Sequence, residues 1–160
     1  MSDLQTLSPQ QQQMKQKVFE HYMRVLSQRL HSLKQVQADL KESSSNETKS
    51  TAGDKHETAL AMLQIEQANL GAQLQDVQEK KAALEKINPL LTSPVIAPGS
   101  LVKTDKGYLF ISIALGKATI NGHAVIALSP QSPLGQKLLG LHVGDAAEIN
   151  LNKYVIEGIE

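Results

Sequence analysis

Two long runs of apolar residues at helical spacing, separated by a short polar segment, constrain the fold of this chain most strongly. In the first run the apolar residues recur every three or four positions, and they are Phe19, Tyr22, Leu26, Leu30, Leu33, Val36 and Leu40. The second run contains Leu60, Leu63, Leu70, Leu74, Val77 and Leu84, with Gln67 and Lys81 as polar interruptions. This spacing predicts two amphipathic helices, each with one apolar face.

The helix boundaries follow from capping and helix-breaking residues. Ser8-Pro9 is a good helix start, and Asn88-Pro89 ends the second helix, which is predicted from Asp54 to about Ile87. The serine-rich segment 42–54 between the helices predicts a loop. Two helices joined in this way bury their apolar faces by folding back antiparallel, as a hairpin of roughly 45 to 50 Å. A parallel homodimeric coiled coil is the alternative that the same repeat permits.

The remainder of the chain has the alternation and the turn residues of a small sheet. The predicted strands are Leu101–Val102, Tyr108–Ile113, Lys117–Ile120, Ala124–Leu128, Ala147–Leu151 and Tyr154–Ile159. Asn121-Gly122 and Asn152-Lys153 are placed as turns, and a short helix runs from Ser132-Pro133 to Gly140. The chain is therefore predicted to be an α+β protein, with an antiparallel coiled-coil hairpin at 1–87, a linker at 88–98 and a β-rich domain with one short helix at 99–160.

Composition argues against several classes of function. The chain has 16 basic and 16 acidic residues, two Phe, three Tyr and no Trp. Proteins that bind nucleic acid on their own usually carry clustered lysines and arginines and often aromatic residues, so autonomous DNA binding is not expected. No apolar stretch is long enough to span a membrane, and cysteine is absent. We expect a cytoplasmic protein that acts without a membrane.

The start of the second helix carries two carboxylates at helical spacing, in the sequence Gly53-Asp54-Lys55-His56-Glu57. A structural explanation is a capping box, in which Asp54 caps the helix and Glu57 bonds back to the cap amide. A functional explanation is that both carboxylates share one face and hold Mg²⁺ weakly, with the remaining ligands supplied by another protein. The sequence leaves both explanations open.

No catalytic constellation is found in the sequence. A zinc-protease motif would need a second histidine four residues after His56, where the chain has Leu60. Ser129 and Ser132 are best explained as a turn residue and a helix cap rather than as nucleophiles. We therefore expect no enzymatic activity and no cofactor of the protein's own.

Two motifs on this layout resemble the Gre family of bacterial transcript cleavage factors, which have an N-terminal coiled coil and a C-terminal FKBP-like domain. The first motif is Gly53–Ala59, which is similar to the family's tip motif. The second is the segment 129–145, which contains two Ser-Pro steps, a short helix and a Val-Gly-Asp turn in order. The resemblance spans most of the chain.

The resemblance implies a partner and a set of site residues. The C-terminal domain would dock on RNA polymerase at the rim of its secondary channel, and the hairpin would enter the channel, close to the 3′ end of the nascent RNA. Asp54 and Glu57 would help the polymerase hold Mg²⁺ for hydrolysis of backtracked RNA, so the metal site would exist only in the complex. A monomer is expected, and the polymerase-binding residues would be Ser129, Pro130, Ser132, Pro133, Leu134, Gly140, Gly144 and Asp145.

The chain also departs from the family pattern next to the tip. It has Leu60 and Ala61 where the family usually has an acidic residue and an aromatic residue, and its tip loop is longer. A protein that enters the channel and inhibits or modulates polymerase without cleavage is therefore the alternative. Prolyl isomerase activity, by analogy with the FKBP-like fold, and a structural coiled-coil adaptor are two further hypotheses.

Overall fold

The computed structural model describes residues 9–48 and 53–160, with side chains described from 14 to 45 and from 57 onwards. These residues form two compact units. Of these residues, the sheet unit contains 9–23 and Ala83–Glu160, and the hairpin unit contains those between Arg24 and Ala82. The sheet unit is thus built from two separate stretches of sequence.

Two long helices open the fold, α1 at Pro9–Thr48 and α2 at Gly53–Glu85. The predicted loop at 42–54 is wrong in its first half, because α1 continues through Glu42 to Thr48. No glycine or proline interrupts this stretch, and each serine costs a helix only about half a kcal/mol relative to alanine. A serine-rich composition alone therefore does not end the helix.

Within the hairpin unit the two helices lie side by side and antiparallel. One groove between them is lined by Leu33 and Val77, and another, farther along α1, is lined by Ala38 and Gln67. Advancing along α1 therefore means moving back along α2, as the antiparallel prediction requires. Among the described side chains of this unit, the buried apolar ones are Leu26, Leu70, Leu74 and Val77. Val36 departs from the predicted stripe, since 46% of its surface is exposed.

The sheet unit contains one mixed sheet of strand order β3-β4-β2-β1-β6-β5. Its strands are β1 Leu101–Thr104, β2 Gly107–Ile111, β3 Gly116–Ile120, β4 His123–Leu128, β5 Ala146–Ile149 and β6 Asn152–Ile159. The pair β2–β4 is parallel and the other pairs are antiparallel. Helix α3, Pro133–Leu138, connects β4 to β5. The prediction of an α+β protein, with a helical hairpin followed by a β-rich domain carrying one short helix, is confirmed.

Of the two turns predicted in the sheet, one is correct and the other is wrong. Asn121 and Gly122 have φ values of 53° and 76°, which makes the predicted tight turn between β3 and β4 correct. The predicted turn at Asn152-Lys153 is wrong, because the chain turns at Asn150 and Leu151, where φ is 51° and 69°. Leucine rarely adopts a left-handed backbone, so its presence hid the turn.

Apolar side chains cover both faces of the sheet. On one face Val102, Leu109, Ile111 and Ile156 form a buried cluster with Leu138 of α3. On the other face Phe110 lies opposite Leu101 on the neighbouring strand, and its ring stacks on Tyr22 of α1 with centroids 6.3 Å apart. The Tyr22 hydroxyl donates a hydrogen bond of 3.0 Å to the carbonyl of Gly116. These contacts anchor the beginning of α1 on the sheet.

A membrane-spanning helix is absent from the parts of the chain that the structure describes, because none of their helices combines sufficient length with sufficient hydropathy.

Candidate functional site

The predicted tip residues lie in the first turns of α2. Asp54 belongs to the helix, but its side chain lies outside the described residues, so the predicted capping box stays a prediction. Glu57 is exposed to solvent. Among residues with described side chains, no group of three or more histidines and carboxylates is placed to hold a metal ion. The two-carboxylate metal site stays a prediction.

The first part of the predicted docking segment forms a hydrogen-bonded turn in front of α3. The carbonyl of Ser129 accepts bonds from the amide and the hydroxyl of Ser132, at 3.0 and 2.6 Å. The hydroxyl oxygen of Ser132 in turn accepts the amide of Gly135 at 3.1 Å, so Ser132 is the predicted helix cap. A Cβ atom at Gly135 would collide with the main chain of Ser129 and Pro130. The turn is therefore tightly determined by its sequence.

The second part forms a turn after α3. Gly140 has a φ of +84° and donates its amide to the carbonyl of Ile96 at 2.8 Å. The carboxylate of Asp145 accepts the amide of His142 at 2.8 Å and lies 3.7 Å from the imidazole Nδ1 of the same residue. Gly144 has a φ of +94°, which favours glycine. Gly140, Gly144 and Asp145 thus have clear structural roles in shaping this turn.

The structure places the two predicted groups at opposite ends of α3, a helix of six residues or roughly 9 Å. Pro133 and Asp145 are exposed, whereas Ser129, Pro130, Ser132 and Leu134 are half-buried. Leu134 packs against the core of the sheet unit. Most of the predicted docking residues therefore shape the surface, and only some of them present a side chain to solvent.

Val143 belongs to the Val-Gly-Asp turn of the second motif but was not among the predicted polymerase-binding residues. It lies in the turn after α3, and 57% of its surface is exposed. Isolated exposed apolar residues are common, but this one lies between Gly140 and Gly144, within the segment already selected. An apolar residue in a glycine-flanked turn is the signal that could have found it, because a turn residue has little opportunity to reach the core.

A buried pair of opposite charges lies elsewhere in the sheet unit. Lys15 and Glu160 are each only 3% exposed. The amine of Lys15 donates hydrogen bonds to the carbonyl of Leu91 at 2.6 Å and to the main-chain oxygen of Glu160 at 3.2 Å. The carboxylate oxygen Oε2 of Glu160 is buried and has no hydrogen-bond partner among the described residues. The burial of Lys15 was not predicted from the sequence.

Burial shifts the pKa of both groups toward their neutral forms. It raises the pKa of the Glu160 carboxyl from 4.5 to about 7, although the positive charges of Lys15 and Lys103 oppose the shift. It lowers the pKa of the Lys15 amine from 10.5 to about 8, against the attraction of Glu160. The charges of Lys15, near the beginning of α1, and of Glu160 therefore change with pH.

Comparison with known proteins gave matches only among solved structures. No protein-family model and no curated protein matches the chain. A crystal structure of GreA factor homolog 1 (Gfh1) of Thermus thermophilus is 19% identical over 89% of this chain and 94% of that chain, with a TM-score of 0.33. A second structure, of the transcription factor Gfh1, is 21% identical over 88% and 93%, with a TM-score of 0.29. Sequence identities and TM-scores this low do not establish a function for the chain.

Proposed function

We propose that this protein binds RNA polymerase as a Gre-like factor, with the sheet unit as its dock and the beginning of α2 as its active end. The observation that carries the proposal is the placement of its two motifs. The acidic motif opens α2 with Glu57 exposed, and the Ser-Pro segment surrounds α3 with Val143 and Asp145 exposed. Both motifs are therefore accessible to a partner.

The proposed docking surface consists of Pro133, at the start of α3, and of Val143 and Asp145 in the turn after it, which are three of the exposed residues of this segment. In protein interfaces, buried apolar side chains supply affinity and charges at the polar rim supply orientation. The hydrogen bonds around Ser132 and Asp145 hold both turns in place before binding. Little conformational entropy would then be lost on docking.

The proposed active end acts through Asp54 and Glu57, three positions apart on α2. Such a pair supplies too few ligands for an independent magnesium site, but it can complete the coordination of an ion that polymerase holds. In hydrolysis assisted by two metal ions, better occupancy of one ion favours attack by water. Polymerase would remain the enzyme, and this protein would contribute two carboxylates.

A non-cleaving role is the alternative within the same proposal. Leu60 is half-buried and Ala61 is exposed on the turn that follows Glu57, so neither adds a charge or an aromatic ring there. A protein that occupies the channel without improving metal binding would slow polymerase instead of rescuing it. The cleaving and non-cleaving roles use the same docking surface, and they differ only in what the beginning of α2 does.

The docking step is tested by binding to stalled, backtracked polymerase complexes in the presence of Mg²⁺. We expect Val143→Lys to weaken binding about tenfold or more, because a charge replaces an apolar contact. Leu151→Lys is the matched control, since Leu151 is 96% exposed in a different turn of the same unit. The absence of any polymerase binding by the unsubstituted protein would end the whole proposal.

The active end is tested in the same complexes by following the length of the RNA. The double variant Asp54→Asn with Glu57→Gln removes both charges while Asn retains the ability to cap a helix. Loss of RNA shortening with unchanged binding and unchanged helical circular dichroism would support the catalytic role. Binding by the unsubstituted protein without RNA shortening would eliminate cleavage and leave the channel-occupying alternative.

A further inference from the structure

A groove on the sheet unit, whose lining includes no residue of the segment 129–145, has the features of a second binding site. Its cavity measures about 580 Å³, within the range of ligand-binding clefts. Leu109 and Ile126, neighbours on β2 and β4, lie in its lining. Ile126 is only partly buried, so the groove offers an apolar surface that water still reaches.

Charge is distributed unevenly around this groove. Lys106 and Lys117 line it, and none of its lining residues is acidic. The carboxylate of Asp105, which precedes Lys106 in sequence, already accepts a hydrogen bond of 2.9 Å from the amide of Val155. An anionic group would therefore meet two positive side chains in the groove, both of them exposed.

The groove adjoins an open edge of the sheet. β3 ends the strand order, and among the described residues no strand pairs with its outer side. The two-residue turn after β3 makes Ile120 and His123 a hydrogen-bonded pair, so by alternation Lys117 and Thr119 direct their amides and carbonyls outward. A free row of backbone groups beside an apolar groove is the arrangement that accepts an added strand.

The aromatic residues favour a protein partner over single-stranded nucleic acid. The amine of Lys106 lies 5.0 Å from the ring centroid of Tyr154, and Tyr108 packs edge-on against His123 at 5.4 Å. Both tyrosine rings already have neighbours, whereas binding of single-stranded nucleic acid depends on open rings and longer basic tracks. Phe110 is fully buried against Tyr22 and contributes nothing to the groove.

We propose that this groove binds an extended acidic segment of a partner protein, which adds as a strand to the open edge of β3. The part of the segment that pairs with β3 places a carboxylate beside Lys117. The residues that follow it cross the groove, where an apolar side chain covers Ile126 and a second carboxylate reaches Lys106. The site is separate from the proposed polymerase dock and does not depend on it. Backbone pairing provides affinity, and the two lysines select for acidic sequences.

The test uses the full chain and a short synthetic peptide in which glutamates alternate with valines. The same peptide with lysines in place of the glutamates is the charge control, and oligouridylate is the nucleic-acid control. Binding is measured by fluorescence anisotropy, and amide exchange of Lys117 and Thr119 is followed by NMR. We expect the acidic peptide to bind best and to slow the exchange of both amides.

The decisive variant is Lys106→Glu with Lys117→Glu, which we expect to weaken peptide binding about tenfold or more, because repulsion replaces attraction. Lys17→Glu with Lys86→Glu changes the net charge equally at two other exposed lysines of the same unit and should leave binding unchanged. Equal binding of acidic and basic peptides, tighter binding of oligouridylate, or no effect of the charge reversal would each overturn the proposal. Unchanged amide exchange on binding would also overturn it. Binding to polymerase should persist in the groove variant, so this proposal and the proposed function can fail separately.

Discussion

The buried pair of Lys15 and Glu160 predicts an unusual dependence of stability on pH. The Glu160 carboxyl has a pKa of about 7 when folded and an ordinary value of 4.5, so between these values the folded protein holds more protons than the unfolded chain. Stability associated with this group is therefore present below pH 4.5 and is lost as pH rises toward 7. At 1.36 kcal/mol per pKa unit, the loss is about 3 kcal/mol.

Lys15 has the opposite relation to pH. Its pKa falls from 10.5 to about 8 on folding, so between these values the folded protein holds fewer protons than the unfolded chain. Stability from this group is then regained as pH rises through that window. The two groups together predict a minimum in their contribution between about pH 7 and pH 8, where both are charged and buried.

The perturbation is Glu160→Gln, which removes the carboxyl titration and keeps the shape of the side chain. The free energy of unfolding is measured by urea denaturation between pH 4 and pH 9, a range of about five units that brackets the Glu160 window and the predicted minimum. Tyrosine fluorescence is the appropriate signal, because Tyr22, Tyr108 and Tyr154 all belong to the sheet unit. We expect the variant to gain stability relative to the unsubstituted protein as pH rises from 4.5 to 7, by about 3 kcal/mol.

Glu157→Gln provides the control, since it removes one carboxyl from an exposed position on the same strand, β6. Taking the difference in the free energy of unfolding between a variant and the unsubstituted protein removes the contributions of the other groups that titrate in acid. A difference between variant and unsubstituted protein that stays constant from pH 4.5 to pH 7 would refute the reasoning. So would a difference of the opposite sign, in which the variant loses stability as pH rises.

Three further substitutions test how the sheet unit is held together, each by urea denaturation of the full chain. Tyr22→Phe keeps the stacked ring and removes the 3.0 Å hydrogen bond to Gly116, so we expect a loss of about 1 kcal/mol; no loss would mean that water replaces the hydroxyl. Ser132→Ala removes the cap of α3 and should cost about 1 kcal/mol, whereas Ser132→Asp should retain most of it. Gly135→Ala forces a methyl group against the main chain of Ser129 and should cost about 2 kcal/mol or more, and an unchanged midpoint would contradict the packing described for that turn.

The elements that could be predicted from sequence were those with a strong local signal. The three-four repeat located both helices, and Leu70, Leu74 and Val77 are buried as that repeat requires. Asn121-Gly122 identified its turn because few other residues tolerate the backbone of that turn. Ser132 was correctly predicted as a cap for a similar reason, since its hydroxyl satisfies an amide within its own helix turn.

The features that escaped prediction depend on partners far away in sequence. Lys15 continues the buried stripe of Val18 and Tyr22 backward by one helical step, but lysine is rarely buried, so its burial was not predicted. Its burial is possible only because carbonyls from Leu91 and Glu160 converge on the amine. The open edge of β3 likewise depends on the strand order of the whole sheet, which no local pattern specifies. Local sequence patterns predict individual helices, strands and turns. Which of these elements pack against one another is determined by the tertiary fold.

The division of the chain into units has a consequence for how the protein is made. The sheet unit draws on residues before Met23 and after Ala83, and the bond from Lys15 to Glu160 spans 145 positions. During synthesis the beginning of α1 leaves the ribosome long before the strands that cover it. Tyr22 and Val18 therefore stay exposed to solvent until those strands have been made. The hairpin unit, by contrast, is contiguous and can close as soon as α2 has emerged. We therefore expect the helical hairpin to form first and the sheet unit to form late, in a slower step dominated by contacts between distant parts of the chain.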